Sequence, residues 1–168
     1  MTHTLGFRVS VLSAAMALLT GCSRPPEPPR PNILLISIDT LRADHLGCYG
    51  HPRPTSPVID SLADQGVRFA QAFATAPNTA PSHMSVMTSL YPTAHAVQNA
   101  SSEDAAATPL LPPATETMAG ILQRAGYQTV GFADGGNLSR AYGFDRGFDR
   151  YRSFYEGAES KVDQAIGW

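Results

Sequence analysis

Ile33-Leu34-Leu35-Ile36-Ser37-Ile38 is an apolar run bounded by Asn32 and Asp39. Its apolar positions do not alternate, the pattern of a strand covered on both faces in a parallel sheet. Val58, Leu62 and Ala63 then recur at helical spacing within Pro57–Gly66, with Ser56 placed to cap and Gly66 to stop. Val67-Arg68-Phe69-Ala70-Gln71-Ala72-Phe73 alternates and predicts the next strand. From Pro81 through Leu90, Met84, Met87, Thr88 and Leu90 mark a helix packed on the sheet with its first turn facing a site, and the methionines read as core. Residues 94–113 are Ala, Ser, Pro and Thr with an acidic pair, Glu103-Asp104, a surface loop placed to lie over that site. Thr115–Gly126 predicts a helix with a Gly stop, Tyr127–Ala133 a strand, Tyr142–Tyr151 a structured loop, and Val162–Trp168 the start of a helix. This alternation of helix and strand predicts a layered α/β fold.

The first twenty-two residues read differently. Arg8 precedes an apolar run, Val9 to Leu19, too short for a permanent membrane span, which marks a targeting segment. It ends Leu19-Thr20-Gly21-Cys22, which resembles the bacterial lipobox. That resemblance implies a lipidated Cys22 as the mature N-terminus, and Ser23 after it implies the outer membrane of a Gram-negative cell envelope. The alternative is a plain secretory signal with a chance Cys. Residues 23–31, with Pro25, Pro26, Pro28, Pro29 and Pro31, form an extended Pro-rich linker. Residues 32–168 remain for one modest domain, with no internal repeat.

Charge and cysteine content narrow the chemistry. The formal net charge is −2 and no basic run occurs, so no nucleic-acid partner is expected. With Cys22 acylated only Cys48 is left, which excludes an internal disulfide and a cysteine zinc cluster. Cys48 reads as a small buried residue.

Two positions carry candidate chemistry. Asp39 stands at the carboxyl end of the first predicted strand, where open α/β sheets bind ligands, so it is placed to hold a divalent metal; the alternative is a turn-forming or capping Asp. Thr79 in Thr79-Ala80-Pro81-Ser82-His83 puts a hydroxyl where a helix begins, near unpaired amides and the positive end of the dipole, which suits an anionic sulfuryl or phosphoryl group. The alternative is an ordinary N-cap. His83, a turn along, is placed to donate to a substrate oxyanion or to fix a neighbour, against the alternative of a structurally satisfied His. His45, His51 and His95 are weaker candidates, and Arg42 is placed to pair with a carboxylate near the site.

Pro31-Asn32-Ile33 through Asp39-Thr40-Leu41-Arg42-Ala43-Asp44-His45 to Tyr49-Gly50 resembles the opening of the sulfatases in the alkaline phosphatase superfamily. Pro57 to Phe69, the Thr79 segment with Leu90-Tyr91-Pro92, Gly126-Tyr127 and Gly143-Phe144-Asp145 follow in the family's order. The resemblance implies a layered sheet with helices on both faces and a metal-dependent ester hydrolase. In it Asp39 is a metal ligand and residue 79 both ligand and nucleophile. The implied cofactor is a divalent ion: calcium, or zinc, manganese or magnesium. It also implies that much of the sheet, the remaining ligands and a leaving-group acid come from chain beyond the equivalent of Trp168, so these residues form the N-terminal portion of such a domain.

Two positions depart from the family's pattern. Typical sulfatases carry Cys or Ser within Cys/Ser-x-Pro-x-Arg and convert it to formylglycine, whereas Thr79 and His83 offer neither the convertible residue nor the Arg. Thr-x-Pro-Ser/Asn-His is similar to the form in phosphodiesterases and sulfatase-like hydrolases that use an unmodified Thr. Thr40 replaces a second metal-binding Asp. Three functions are therefore carried forward: a sulfuric ester hydrolase with a Thr nucleophile, a phosphodiesterase or phosphoryl transferase of the same superfamily, and a non-catalytic lipoprotein retaining the first part of the fold. One Asp and one Thr cannot complete a metal shell.

Overall fold

The structure, a computed structural model, describes residues 29–99, 110–155 and 157–167. Cys22, the apolar run before it, the linker up to Pro28 and the Glu103-Asp104 pair lie outside the described residues. Among the described residues no helix is long and apolar enough to cross a membrane. The chain divides between Ile38 and Asp39 into two units, and the regular elements among the described residues lie in the second.

In the first unit, residues 29–38 contain no strand. Ile33, Leu34, Leu35, Ile36 and Ile38 are all exposed, Leu34 at 82% of its surface, which corrects the expected buried strand. The physical reason is that such a strand is completed only by neighbours on both edges and cover on both faces, and the described residues supply no strand partner to it.

The second unit opens with two short 3-10 turns, Ala43–His45 and Gly47–Tyr49. Helix α1, Pro57–Gln65, follows with Pro57 at its first position and Gly66 just past its end, close to the predicted bounds. Ser56 precedes it, but its hydroxyl does not cap the helix. It accepts from the Gly47 N–H at 2.9 Å and donates to the Asp60 carboxylate at 3.0 Å, while the Cys48 N–H donates to Asp60 at 2.7 Å. Cys48 is half-buried rather than buried, and desolvation with Asp60 beside it pushes its thiol pKa up. The predicted strand at 67–73 does not form. Val67, Phe69 and Phe73 are exposed and the segment has no strand partner among the described residues, for the same reason as residues 33–38.

Helix α2 spans Thr79–Thr88 and the one-turn helix α3 Pro92–His95. Helix α4, Met118–Arg124, is shorter than predicted because Thr117 takes the cap: its hydroxyl accepts from the Gly120 N–H at 3.1 Å and donates to the Arg146 carbonyl at 2.8 Å. Strand β1, Val130–Asp134, lies within and just past the predicted strand. It pairs in parallel with β2, Arg150–Phe154, in the register Val130 with Arg150 through Asp134 with Phe154. β2 was expected as the end of a structured loop. Helix α5, Gly157–Ile166, begins five residues before the predicted start at Val162.

The fold class is thus borne out in its coarse terms, helices with a small parallel sheet, and the described residues hold one two-stranded sheet rather than two covered faces. Among the described residues the core is a cluster of Ala80, Met84, Val97, Leu111, Tyr142, Phe144 and Tyr151. It joins α2 to the sheet and to the loop before β2. Arg146 closes that loop by donating to the carbonyls of Leu111, Pro112 and Thr115. Gly147, beside it, has φ +84°, and a Cβ there would sit 2.1 Å from the Gly120 nitrogen. Both the left-handed backbone and the approach to α4 demand glycine. Gly147→Ala is therefore expected to destabilise the chain by at least about 2 kcal/mol in urea denaturation.

Candidate active site

Asp39 and Thr79 are forty positions apart in sequence, and the fold brings their side chains together. The Thr79 hydroxyl donates to the Asp39 carboxylate at 3.0 Å, on an exposed face. Asp39 is aimed by an unusual backbone: Thr40 has φ +61°, a left-handed conformation that β-branched residues rarely adopt. Arg42 does not reach this pair. It forks onto Asp44 at 2.9 and 2.6 Å, which lowers the Asp44 carboxyl below its ordinary value and raises the guanidinium.

Thr79 is the first helical residue of α2, and Asn78 is its N-cap, extended and without a side-chain cap bond. The ordinary-cap alternative for Thr79 is thus excluded by geometry, and its hydroxyl is a donor to a carboxylate. The amides that follow Thr79 are largely taken. The Ala80 N–H is taken by Asn99 Oδ1 at 2.9 Å, Pro81 has no N–H, and the Ser82 N–H closes on the Asn78 carbonyl at 3.1 Å. What the helix end contributes here is chiefly its dipole.

His83 is half-buried, and its Nδ1 lies 2.9 Å from the Thr79 carbonyl. A carbonyl can only accept, so Nδ1 carries the proton, and in the neutral ring Nε2 is an acceptor. Only the imidazolium could donate from that nitrogen to an oxyanion. His45 and His51 stack on each other at 5.3 Å, with His51 Nδ1 on the Asp44 carbonyl at 2.9 Å. His95 is fully buried under α2, and burial lowers its pKa. Asn99 was not anticipated, because a cap supplied from nineteen positions away leaves no local pattern.

Asp39 and Thr79 offer hard oxygen donors of the kind a divalent ion takes, but too few. Among the described residues no group of three or more His, Cys, Asp or Glu could hold a metal, whereas calcium takes six to eight oxygens. The residues present fit one edge of such a shell.

A family model described as Sulfatase matches residues 31–166, the span that carries Asp39, Thr79 and the whole core. The chain belongs to the sulfatase family. It is similar to the N-acetylgalactosamine-6-O-sulfatase of Bacteroides thetaiotaomicron, at 35% identity over 73% of this chain and 25% of the relative. The mouse steryl-sulfatase is 35% identical over 73% of this chain and 21% of the relative, and human arylsulfatase A is 42% identical over 37% and 12%. The chain therefore spans about a quarter or less of the curated relatives it matches. Sulfatases generally use a divalent metal, typically calcium, and act on sulfate esters.

Within this sulfatase chain the strain at Thr40 is open to test. Asn tolerates the left-handed region far better than a β-branched residue. Thr40→Asn is expected to raise the stability of the chain by about 1 kcal/mol, read as a higher midpoint in thermal unfolding.

Proposed function

We propose that the protein is a sulfuric ester hydrolase in which Thr79 is the nucleophile and Asp39 the carboxylate that orients it. The single observation that supports this most is the 3.0 Å hydrogen bond from the Thr79 hydroxyl to Asp39 at the first residue of α2. Thr79 Oγ1 attacks sulfur, the bond from sulfur to the ester oxygen breaks, and the leaving alcohol departs in line, taking up a proton. Water then attacks the Thr79 sulfate ester and releases inorganic sulfate and a proton, restoring the hydroxyl. Asp39 and Thr79 would contribute two of the oxygens around a divalent ion, whose charge favours the alkoxide and the sulfuryl oxygens. His83, fixed on the Thr79 carbonyl, stands one turn along the same helix.

The relatives are named for sulfate esters of different alcohols, an amino sugar in one and a steryl group in another, so the proposal is confined to the sulfuric ester itself. One observation favours a second reading: residue 79 is Thr, which cannot become formylglycine, and an unmodified hydroxyl suits phosphoryl transfer equally well. Steady-state rates with an aryl sulfate and the matching aryl phosphodiester separate the two. Faster turnover of the sulfate is expected, with kcat/KM falling by about a thousandfold or more in Thr79→Ala and largely retained in Thr79→Ser. A preference for the phosphodiester would select the second reading, and full activity in Thr79→Ala would end both.

A further inference from the structure

We propose that the segment Pro92–Asn99 is a clamp that positions Thr79, with Asn99 as its contact on the helix end and His95 as its anchor. This rests on the reading of Thr79 as nucleophile. Asn78 precedes α2 without a side-chain cap bond, so the helix would begin with an unsatisfied amide at Ala80. Asn99 Oδ1 supplies the acceptor instead, at 2.9 Å. The amide it holds belongs to the residue that follows Thr79, so any fraying of the first turn would release the Thr79 backbone and misdirect its hydroxyl from Asp39.

Asn99 can do this only if its own segment is fixed, and His95 fixes it. The ring is fully buried. The Val97 N–H donates to His95 Nδ1 at 3.1 Å, and because an amide nitrogen can only donate, Nδ1 is unprotonated and Nε2 carries the hydrogen. That hydrogen is shared between the Pro81 carbonyl at 3.2 Å and the Ser85 hydroxyl at 3.1 Å, both on α2. One side chain thus joins the backbone that leads to Asn99 to the first two turns of the helix. Val97, fully buried, packs in the same core cluster as Ala80 and Met84, so the clamp is held by packing as well as by hydrogen bonds. Ala96 between them has φ +61°, which turns the chain from α3 back toward the start of α2. Asn99 and His95 are positioning residues, since neither touches the reacting atoms.

The test compares Asn99→Ala, which deletes the acceptor, with Asn99→Asp, which keeps an oxygen there. In the intact protein, amide hydrogen exchange at Ala80 is expected to speed up by about tenfold in Asn99→Ala and to stay slow in Asn99→Asp. With an aryl sulfate, kcat in Asn99→Ala is expected to fall by about tenfold at unchanged KM, with Asn99→Asp restoring kcat at saturating substrate. Unchanged Ala80 exchange in Asn99→Ala would overturn the clamp. Faster exchange with unchanged kcat would overturn the positioning role while leaving Thr79 as nucleophile. Full activity in Thr79→Ala, measured alongside, would instead remove the nucleophile reading, and the exchange data would still decide whether Asn99 caps the helix.

Discussion

Ala80 and Met84, one turn apart on α2 and both fully buried, fix the rotation and position of the helix that carries the candidate nucleophile. Burying a Met side chain contributes roughly 1.5–3 kcal/mol, against about 0.5–1.5 kcal/mol for one hydrogen bond and less where it is exposed. Packing, not the contact with Asp39, therefore decides where Thr79 stands. Thr79 and His83 each precede a buried residue by one position, so both lie about 100° around the helix from the core stripe and share one face. The same packing that holds the core thus stacks a hydroxyl, a carbonyl and an imidazole along the rim of the site.

Around that rim the hydrogen-bond accounting is nearly closed. Asn99 occupies the Ala80 amide, Pro81 presents none, and the Thr79 hydroxyl is committed to Asp39. An anionic ester would meet a helix dipole and few open donors. Because the Thr79–Asp39 pair is exposed, a carboxylate alone acts on the hydroxyl through a high effective dielectric and activates it weakly. The proposed chemistry accordingly calls for further positive charge beside the pair, which is consistent with the general use of a divalent ion by sulfatases and with donors that fill only one edge of a shell.

Local signals in the sequence proved legible where the determinant was local. Ser56-Pro57 and Gly66 bracket α1, and Thr79 to Thr88 and the β1 region were read from periodicity with errors of a few residues. The strands expected at 33–38 and 67–73 were legible only as candidates, because a strand is completed by partners elsewhere in a chain, and this one spans about a quarter or less of the relatives it matches. β2 was missed since Gly143, Gly147 and the charged residues between them mask the alternation of Arg150, Tyr151 and Arg152. At the site, the type of residue pointed to Asp39 and Thr79, but their hydrogen bond spans forty positions and could not be read from spacing. Asn99 and the tautomer of His95 depend wholly on tertiary contacts, so a segment that read as a surface loop over the site also bonds the start of α2.

In the proposed reaction Thr79 takes the sulfuryl group onto its own oxygen. Rapid acid quench of the intact protein turning over an aryl sulfate, followed by peptide mass analysis, tests it directly. One added SO3 group is expected on the peptide that contains Thr79, absent in Thr79→Ala. Release of the aryl alcohol with that peptide unmodified at every time point would contradict it.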